Sequence, residues 1–279
     1  MKNIKSFWTS LESNKKNPSD LKKINKINSD LFIKKIKSKN QLFIKKMIAG
    51  LYAGEVYIIK NAISKQYINK LKLNLVDYSK KNNSSFYKML EKCPNYWIRQ
   101  DEKLKKKYSF MAIRDSYYFF RWNKEDFKIW KNFDNIWGCI KLLGGLKHNE
   151  FKKNTPKNIV VDRVQVVRYP KMTGRTEPHV HDPIHQRLII GVYMSKMGKD
   201  FSSGGSYLFK KNKKINGETH IDIGDVGIFY ATLKHGVDPV RIEKKIQIKN
   251  ELTKGRWWCG LYSPESDYAV DRHTSSPIK

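Results

Sequence analysis

The hydrophobic and polar positions of the first half of the chain follow the period of amphipathic helices. Apolar residues recur every three to four positions over residues 65–81, and Ser64 can cap the exposed amides at the start of such a helix. A second helical pattern covers residues 124–143 and stops at Gly144, a common helix end. Residues 54–60 form an apolar run ahead of the first pattern. This half therefore predicts a strand, a capped turn and two helices.

The pattern changes after residue 160 to short apolar runs that are separated by turn residues, which is typical of β-strands. Gly174 marks one predicted turn, and residues 221–225 form another. The predicted strands comprise residues 164–169, 187–194, 204–209, 226–230, 235–240 and 256–262. Residues 263–279 lose this periodicity, and we expect them to form a surface cover.

The first 48 residues are rich in lysine and carry apolar residues at near-helical intervals. Ser19 or Asp20, just after Pro18, can cap the start of a helix. We therefore expect residues 1–48 to form a basic helical extension that lies against a larger domain of residues 49–279. A helix that contacts a membrane surface or a partner protein is the alternative.

Two stretches between the predicted helices differ in composition. Residues 80–107 are polar and irregular, as in many functional loops. Residues 109–122 are dense in aromatic side chains, and we expect most of them to lie in a buried pair of strands. The alternative is a wall that contacts a substrate, since aromatic faces stack on sugars and bases.

The composition limits the class of protein. A chain of 279 residues with 39% hydrophobic and 13% aromatic residues can bury a full core as one large domain or as a domain with an appended piece. The net charge of +30 would suggest a nucleic-acid partner, but only ten of the 56 basic residues are arginine. We therefore expect a solvated lysine surface and no nucleic-acid partner. An acidic glycan, a nucleotide-sugar or a carrier-bound substrate is compatible with the charge.

The cysteines and the apolar runs indicate the compartment. Cys93, Cys139 and Cys259 are far apart, odd in number and match no metal-binding spacing, which fits a reducing compartment. No apolar run reaches the length of a membrane span, and the first residues lack the hydrophobic stretch of a secretory signal. We therefore expect a cytoplasmic protein.

Five of the seven histidines fall within residues 164–262, where the predicted strands are. His179 and His181 are two positions apart, so in a strand both imidazoles point to the same face. His235, on another predicted strand, can complete a metal site of imidazole ligands. The other histidines are expected to be ordinary polar residues, namely His148, His185, His220 and His273.

The segments around these histidines resemble those of the iron(II)- and 2-oxoglutarate-dependent oxygenases, in particular prolyl-hydroxylase-like members. The similarity covers roughly the C-terminal half, and its most specific pieces are Gly224-Asp225, His235-Gly236-Val237 and Gly255-Arg256-Trp257. The resemblance implies an α+β fold whose core, about residues 160–262, is a double-stranded β-helix (jelly roll) with N-terminal helices packed on it. It also implies Fe(II), 2-oxoglutarate and O2 as cofactor and cosubstrates.

The resemblance assigns roles to particular residues. His235 would be the distal iron ligand, and Arg256 would hold the far carboxylate of 2-oxoglutarate, for which the planar guanidinium is suited. Tyr169 could help to hold the cosubstrate. Arg241 competes with Arg256, but it lies only six residues after His235, too soon for the chain to turn and return into the barrel. The strand after Gly255 matches the family, which favours Arg256.

The chain departs from the family pattern at one ligand. The family has His-x-Asp or His-x-Glu, whereas here the position two residues after His179 is His181 and the carboxylate follows at Asp182. His179, His181 and His235 could form an all-nitrogen triad. Alternatively, a local bulge could bring Asp182 in with either His179 or His181. In a third reading, one of these histidines faces the substrate. His179 is favoured as a ligand, and His181 and Asp182 remain alternatives.

The activity that the resemblance implies is hydroxylation of an unidentified small-molecule or glycan-type substrate, with release of succinate and CO2. Two other classes are compatible with the sequence. One is a three-histidine metal cupin that does not use 2-oxoglutarate. The other is a non-catalytic jelly-roll binding protein whose basic surface and aromatic stretch make the contacts.

Overall fold

The computed structural model describes residues 2–14, 16–101, 110–125, 127–170, 172–243 and 253–278. The helices are α1 (Lys2–Asn14), α2 (Ser29–Lys37), α3 (Gln41–Tyr52), α4 (Lys65–Lys81) and α5 (Ile129–Leu143). The strands are β1 (Lys23–Asn28), β2 (Glu55–Lys60), β3 (Tyr96–Gln100), β4 (Ala112–Phe120), β5 (Arg163–Tyr169), β6 (Arg175–Val180), β7 (Leu188–Tyr193), β8 (Ser203–Lys210), β9 (Lys213–Asn216), β10 (Val226–Tyr230), β11 (His235–Arg241), β12 (Arg256–Tyr262) and β13 (Ser276–Pro277).

Eight consecutive strands, β5 to β12, form the two facing sheets of a double-stranded β-helix. One sheet has the order β10-β7-β12-β5, and the other has the order β6-β11-β8-β9. All neighbours within these two sheets are antiparallel. The predicted jelly-roll core is therefore confirmed, and its strands run from Arg163 to Tyr262.

The first sheet separates the helices from the interior of the barrel. Alternate residues of β5 and β12 face the helices, and Val164, Val166 and Leu261 are buried there in one hydrophobic cluster with residues of α2 to α5. The residues between them face the other way, so Arg163 and Tyr262 line a cavity inside the barrel. The period-2 alternation of a strand thus places apolar side chains in the core and polar ones at the cavity.

The N-terminal region contributes a strand as well as helices. Residues 23–28 form β1, which pairs in parallel with β2 at the edge of the larger sheet, whereas the sequence predicted a helix from Asp20. The helix begins later because the side chain of Asn28 accepts hydrogen bonds from the amides of Asp30 and Leu31. Pairing with the free edge of β2 satisfies the backbone of the preceding residues.

The predicted boundary at residue 48 falls within α3, and the core is continuous across it. Trp8 of α1 is fully buried, stacks on Tyr230 at 5.6 Å between ring centroids and donates a hydrogen bond from Nε1 to the carbonyl of Leu143 at 2.8 Å. Arg187 and Glu12 form an ion pair at 2.6 Å. The division into an extension and a domain stays a prediction. Within the described ranges, none of the helices combines the length and the apolar character that crossing a bilayer requires.

The Gly224-Asp225 pair, one of the specific pieces of the resemblance, has a structural role. Asp225 is fully buried and forms an ion pair with Lys60 of β2. Its carboxylate also accepts hydrogen bonds from the amides of Asn61 and Asp222, at 2.9 and 2.7 Å. Gly224 has a positive φ of 87°, which permits the backbone to approach Ile63 closely. The pair therefore connects the start of β10 to the segment between β2 and α4.

The other predicted elements agree with the structure to different degrees. Helix α4 and its Ser64 cap are confirmed, whereas α5 begins at Ile129 rather than near residue 124. The aromatic stretch forms β4, which lies between β3 and β5. Strand β3 was not predicted, because it lies in the stretch that was expected to be irregular. The lysine-rich stretch of residues 243–254, which lies between β11 and β12 in the sequence, is largely outside the described residues.

Candidate active site

Three histidines meet inside the barrel where β6 and β11 run side by side. His235 at the start of β11 lies opposite His179 near the end of β6, and their ring centroids are 4.3 Å apart. His181 follows one residue after β6, with its ring centroid 5.0 Å from that of His179 and 5.2 Å from that of His235. Their potential ligand nitrogens all lie within 4.8 Å of one another, a spacing that one metal ion can bridge.

Hydrogen bonds behind the rings orient the histidines. Nδ1 of His179 is 2.9 Å from the carbonyl oxygen of Glu177, and Nδ1 of His235 is 2.8 Å from that of Leu233. A carbonyl can only accept, so each Nδ1 carries the proton and each Nε2 keeps its lone pair. This arrangement is the one that metal-binding histidines use to fix the tautomer.

His181 is also bonded behind its ring, but its partner is a hydroxyl, which can either donate or accept. Its Nδ1 is 2.8 Å from Oγ of Ser275, which comes from the C-terminal segment. Its Nε2 is buried and has no hydrogen-bond partner among the described residues. A buried polar atom without a partner costs free energy, and an ion bound at this nitrogen would satisfy it.

The electrostatic environment keeps the three imidazoles neutral. Burial, followed by the proximity of the other histidines, holds the pKa of His179 well below its usual value. Burial also lowers the pKa of His181, with smaller contributions from His235 and Arg114. The pKa of His235 is lowered to about 4, mainly by burial. Neutral imidazoles are the form that binds metal, so at neutral pH a cation can bind these histidines without displacing a proton from a charged imidazolium.

Asp182 lies outside this group. Its side chain is exposed, and Oδ1 accepts a hydrogen bond from the amide of Ile184 at 2.9 Å. Among the described residues, the group at this position that could hold a metal consists of His179, His181 and His235 without a carboxylate. Nitrogen ligands of this kind suit iron, zinc, copper and nickel, so these residues fit an iron ion but do not select it.

Arg256, the predicted cosubstrate residue, is buried deep in the barrel beside Tyr169. The two residues lie opposite each other in β12 and β5, and Cζ of Arg256 is 5.1 Å from the centre of the Tyr169 ring. Nε of Arg256 donates to Glu218 at 2.6 Å, and the two side chains are 2% and 1% exposed. Nη1 of Arg256 is buried without a hydrogen-bond partner in the described part of the chain. A carboxylate oxygen would fit this donor.

Glu218 is a residue that the sequence did not single out. One oxygen, Oε1, accepts from Arg256 and also from the amide and the hydroxyl of Ser206, both at 2.7 Å. The carboxylate therefore neutralises the guanidinium and fixes its orientation. Neither Arg256 nor Tyr169 lines the cavity that His179 and His181 line. A lone Glu in a polar segment gives no signal in the sequence, so this contact could not have been predicted.

A cavity of about 430 Å³ leads to the histidines from the surface. His179 and His181 line its inner part together with Arg114, Arg163 and Tyr262. Its volume is in the range of small-molecule sites. Arg114 and Arg163 were not predicted as site residues. The alternation of side chains along β5 could have indicated Arg163, because it lies on the same face of the strand as Tyr169.

The C-terminal segment covers part of this cavity. β13 pairs with the end of β6, so that Ser276 lies opposite Val180. The preceding residues line the cavity and include His273 and Ser275. The expected surface cover is therefore present, and through Ser275 it also contacts a histidine of the triad.

A second group of potential ligands lies in the wall of the same cavity. Nε2 of His185 and Nδ1 of His273 are 2.6 and 3.0 Å from the same oxygen of Glu265. Burial raises the pKa of Glu265, but hydrogen bonds from His273 and His185 outweigh burial and leave it below its usual value. The hydrogen bond to Glu265 raises the pKa of His273. Both histidines were expected to be ordinary polar residues, and Glu265 was not identified as their shared partner because it lies in the segment without periodicity.

Comparison with known proteins identifies the fold. No protein-family model matches the sequence, and no curated protein matches it. A C-terminally truncated protein of Neurospora crassa, solved in its apo form, is 13% identical, with a TM-score of 0.51 over 85% of this chain and 93% of that chain. A prolyl hydroxylase of Trichoplax adhaerens, solved with a peptide fragment of the hypoxia inducible factor oxygen degradation domain, is 13% identical over 83% of this chain and 92% of that chain, with a TM-score of 0.46.

A putative 2OG-Fe(II) oxygenase family protein of Caulobacter crescentus is 10% identical and covers 87% of each chain, with a TM-score of 0.47. At these identities the similarity concerns the fold and does not extend to a substrate. The likeness to the truncated N. crassa protein is the one of these three with a TM-score above 0.5, and the full-length form of that protein was solved with α-ketoglutarate. This chain has the double-stranded β-helix fold of that structure.

Proposed function

We propose that this protein is an Fe(II)- and 2-oxoglutarate-dependent dioxygenase that hydroxylates a small-molecule or glycan-type substrate. The observation that carries the proposal is the convergence of three imidazoles inside a double-stranded β-helix, where carbonyl acceptors at Nδ1 leave the Nε2 lone pairs of His179 and His235 free and Nε2 of His181 is buried without a hydrogen-bond partner among the described residues. His179, His181 and His235 are the metal ligands in this proposal. We leave Asp182 out of the proposed ligand set, because its side chain is exposed and its carboxylate accepts a hydrogen bond from the amide of Ile184.

Bound iron would couple the decarboxylation of 2-oxoglutarate, to succinate and CO2, with oxidation of the substrate by O2. The residues of the chain supply binding and orientation. His179, His181 and His235 hold the ion, and their Nδ1 partners keep the rings in place. In this proposal Nη1 of Arg256 donates a hydrogen bond to the far carboxylate of 2-oxoglutarate, while Nε donates to Glu218. Tyr169 packs beside this guanidinium and limits the position of the carboxylate.

Turnover of 2-oxoglutarate in the absence of substrate tests the proposal. The protein is purified without oxygen, loaded with Fe(II) and exposed to O2 and 2-oxoglutarate, and succinate is followed over time. We expect slow succinate formation by the wild type and none by His235→Ala. Arg256→Ala should raise the KM for 2-oxoglutarate about 10- to 100-fold, because a buried charge-assisted contact contributes about 1.5–3 kcal/mol.

The matched control is Arg241→Ala, because Arg241 is exposed at the end of β11 and was the rival candidate for the same role. This variant should keep the wild-type KM for 2-oxoglutarate. A raised KM in Arg241→Ala with a normal KM in Arg256→Ala would reverse the assignment of the two arginines.

A three-histidine metal enzyme that does not use 2-oxoglutarate is the second candidate. Two observations favour it: the ligand group contains no carboxylate, and Glu218 already neutralises Arg256. Iron bound at one ion per chain without any succinate would support this candidate. Absence of bound metal would instead support a non-catalytic binding protein, the remaining alternative.

The cysteines support a location for this activity. Cys93, Cys139 and Cys259 are free and buried, which is compatible with a reducing compartment. Burial also raises the pKa of the Cys93 thiol to about 11, so this cysteine is unreactive. We propose the cytoplasm on this basis.

A further inference from the structure

Two arginines at the cavity lack an acidic partner. Arg114 of β4 and Arg163 of β5 both line the cavity, and in the described ranges neither forms an ion pair with a carboxylate. Arg114 donates from Nε to the side-chain oxygen of Gln100 at 3.0 Å. Arg163 donates from Nη2 to the side-chain oxygen of Gln165 at 3.2 Å, and its Nε is buried without a hydrogen-bond partner among the residues that the structure describes. Both side chains are partly buried, and partly buried cations are stabilised by an anionic partner, so a bound anion would complement this part of the cavity.

The carboxylates nearest to the cavity are already engaged with other groups. Glu265 is bonded to His185 and His273, as described above. Asp267 accepts from Arg272 at 2.7 Å and from the amide of Met89. Asp182 is bonded to the amide of Ile184. Within the described ranges, therefore, these three carboxylates do not neutralise the two arginines, and burial together with Arg272 lowers the pKa of Arg163.

The arginines are held in fixed positions, as a binding site requires. The guanidinium of Arg163 lies between the rings of Tyr118 and Tyr262, at 5.3 and 5.6 Å from their centres. Its partner Gln165 is fixed in turn by donating to the hydroxyl of Tyr118 at 3.2 Å. A guanidinium held in this way binds a carboxylate or phosphate with two parallel hydrogen bonds and little loss of side-chain entropy.

Both arginines are separated from the metal-binding histidines by a single aromatic ring. Phe110 stacks on His179 at 4.4 Å, and the guanidinium of Arg114 is 6.0 Å from the same Phe110 ring. On the other side, the ring of Tyr262 lies between Arg163 and His181, at 6.0 Å from the His181 ring. An acidic group bound by the arginines would therefore place the atoms next to it beside the metal.

The outer part of the cavity offers flat apolar surfaces. Tyr96 lies against Tyr118 at 4.8 Å between ring centroids, and Tyr87 lies against Tyr96 at 5.4 Å. Phe86 and Tyr87, which also line the cavity, are 58% and 44% exposed. Exposed aromatic rings beside a cavity are suited to contact the planar or apolar body of a ligand.

We infer that the substrate is a small organic anion, whose carboxylate or phosphate is bound by Arg114 and Arg163 and whose ring or apolar body contacts Tyr87 and Tyr96. This inference rests on the proposed function, because the bound anion is a substrate only if the same site is catalytic. It excludes neutral sugars and uncharged lipids. Oxidation takes place close to the acidic group rather than at the far end of the molecule.

Binding of two matched probes to the manganese-loaded protein tests the inference. Phenylacetate and phenylacetamide have the same ring and differ in charge, and the measurement is the Kd of each by titration calorimetry in the presence of 2-oxoglutarate. We expect saturable binding of phenylacetate, with a Kd on the order of 1 mM or lower, and at least about tenfold weaker binding of phenylacetamide. Equal affinities, or no saturable binding of phenylacetate, would overturn the inference.

Variants of the arginines locate the bound anion and distinguish a substrate anion from the cosubstrate 2-oxoglutarate. Arg163→Gln and Arg163→Lys should both weaken phenylacetate about tenfold, since the lysine keeps the charge but loses the planar fork. Arg99→Gln is the control, because Arg99 pairs with Asp115 and does not line this cavity. In Arg163→Gln the Kd of phenylacetate should rise by a larger factor than the KM for 2-oxoglutarate in substrate-free turnover, whereas Arg99→Gln should change neither value. A large rise in that KM, with unchanged phenylacetate binding, would mean that the arginine holds the cosubstrate and would overturn the inference.

The two proposals can fail independently. The probe titrations need no turnover, so a wild type that binds phenylacetate but forms no succinate would contradict the oxygenase activity and leave the anion site in place. Succinate formation with equal affinity for phenylacetate and phenylacetamide would support the oxygenase activity and contradict the anion site.

Discussion

Two groups of ionisable side chains line or adjoin the same cavity, and in both the potential ligand atoms lie within 4.8 Å of one another. The first is the triad of His179, His181 and His235. The second, which we call the outer cluster, consists of His185, Glu265 and His273. Distance alone would assign a metal to either group. They differ in where the hydrogen bonds are made, because the triad is bonded from behind its rings and the outer cluster is bonded within itself.

This difference decides what each group can do. In the triad, Nδ1 of each ring contacts an atom outside the group, so the three rings are not bonded to one another through Nδ1, and Nε2 of His181 is buried without a partner in the described part of the chain. In the outer cluster both imidazoles are bonded to one oxygen of Glu265, so the atoms that could bind metal already satisfy each other. A metal would have to displace two hydrogen bonds there. The triad is a metal site, in our proposal, and the outer cluster fixes the C-terminal segment over the cavity.

Loss of metal is the largest expected effect. We expect the wild type to bind about one Fe(II) per chain and His235→Ala to bind less than about one tenth of that, because two imidazoles hold iron far more weakly than three. The measurement is iron by mass spectrometry after anaerobic loading and desalting.

His273→Ala is the matched control for this prediction, since it removes an imidazole from the outer cluster at a similar distance from its partners. It should retain about one Fe(II) per chain. If the wild type binds two ions and His273→Ala binds one, the comparison between the two groups is wrong.

The sequence was more informative about the fold and about which histidines lie close together than about the polar contacts around them. Strand alternation and the resemblance were sufficient for the jelly roll, because inward and outward positions are fixed by the period of a strand. His179 and His235 could be proposed from the family spacing. The choice between His181 and Asp182 could not be made, because it depends on which side chain points inward after β6 ends.

Contacts between distant segments were beyond prediction for a different reason. Glu218 reaches Arg256 across 38 positions, and Ser275 reaches His181 across 94. Neither segment has a periodic pattern that would place it in the barrel. The strand β1 was missed because its stability comes from pairing with the edge of β2 rather than from its own sequence.

The pH dependence of the metal-free protein is the next largest effect. The folded-state pKa of His235 is about 4, below the ordinary value of 6.5, so the unfolded chain binds more protons between these pH values. Stability should therefore fall as the pH falls from 6.5 towards 4. At pH 5 the loss from His235 alone is about 2 kcal/mol, which corresponds to a decrease in Tm of roughly 4–8 °C.

Calorimetric scans of chelator-treated protein between pH 7 and pH 5 measure this slope. In His235→Gln the slope of Tm against pH should be smaller, whatever the absolute stability of the variant. Saturating metal should also reduce the slope, since the ion replaces the proton as the ligand of the imidazoles. A slope that is the same in His235→Gln would show that His235 is not protonated on unfolding in this range.

The contact from Ser275 to His181 has a smaller effect, because it acts through the orientation of one ligand. Ser275→Ala removes the group at Nδ1 of His181 and should raise the Kd for Fe(II) about tenfold, as is typical of partners behind metal ligands. Thr274→Ala is the control, since Thr274 is an exposed neighbour in the same segment. Competition with a chromophoric chelator measures both. A Kd that changes equally in the two variants would indicate a general loosening of the segment rather than a role for the hydroxyl.

The outer cluster should produce the smallest effect and one of opposite sign. Its ion pair raises the pKa of His273, so the stabilisation is fully present below the ordinary pKa of histidine and is lost as the pH rises through the folded-state value. His273→Ala should therefore lower Tm at pH 5.5 and leave it nearly unchanged at pH 8. Because the side chain is 40% exposed, solvent and salt weaken the interaction, and the difference should shrink further in 1 M salt. An equal decrease in Tm at both pH values would mean that His273 stabilises the segment by packing alone, and the outer cluster would then no longer contrast with the triad in its response to protons.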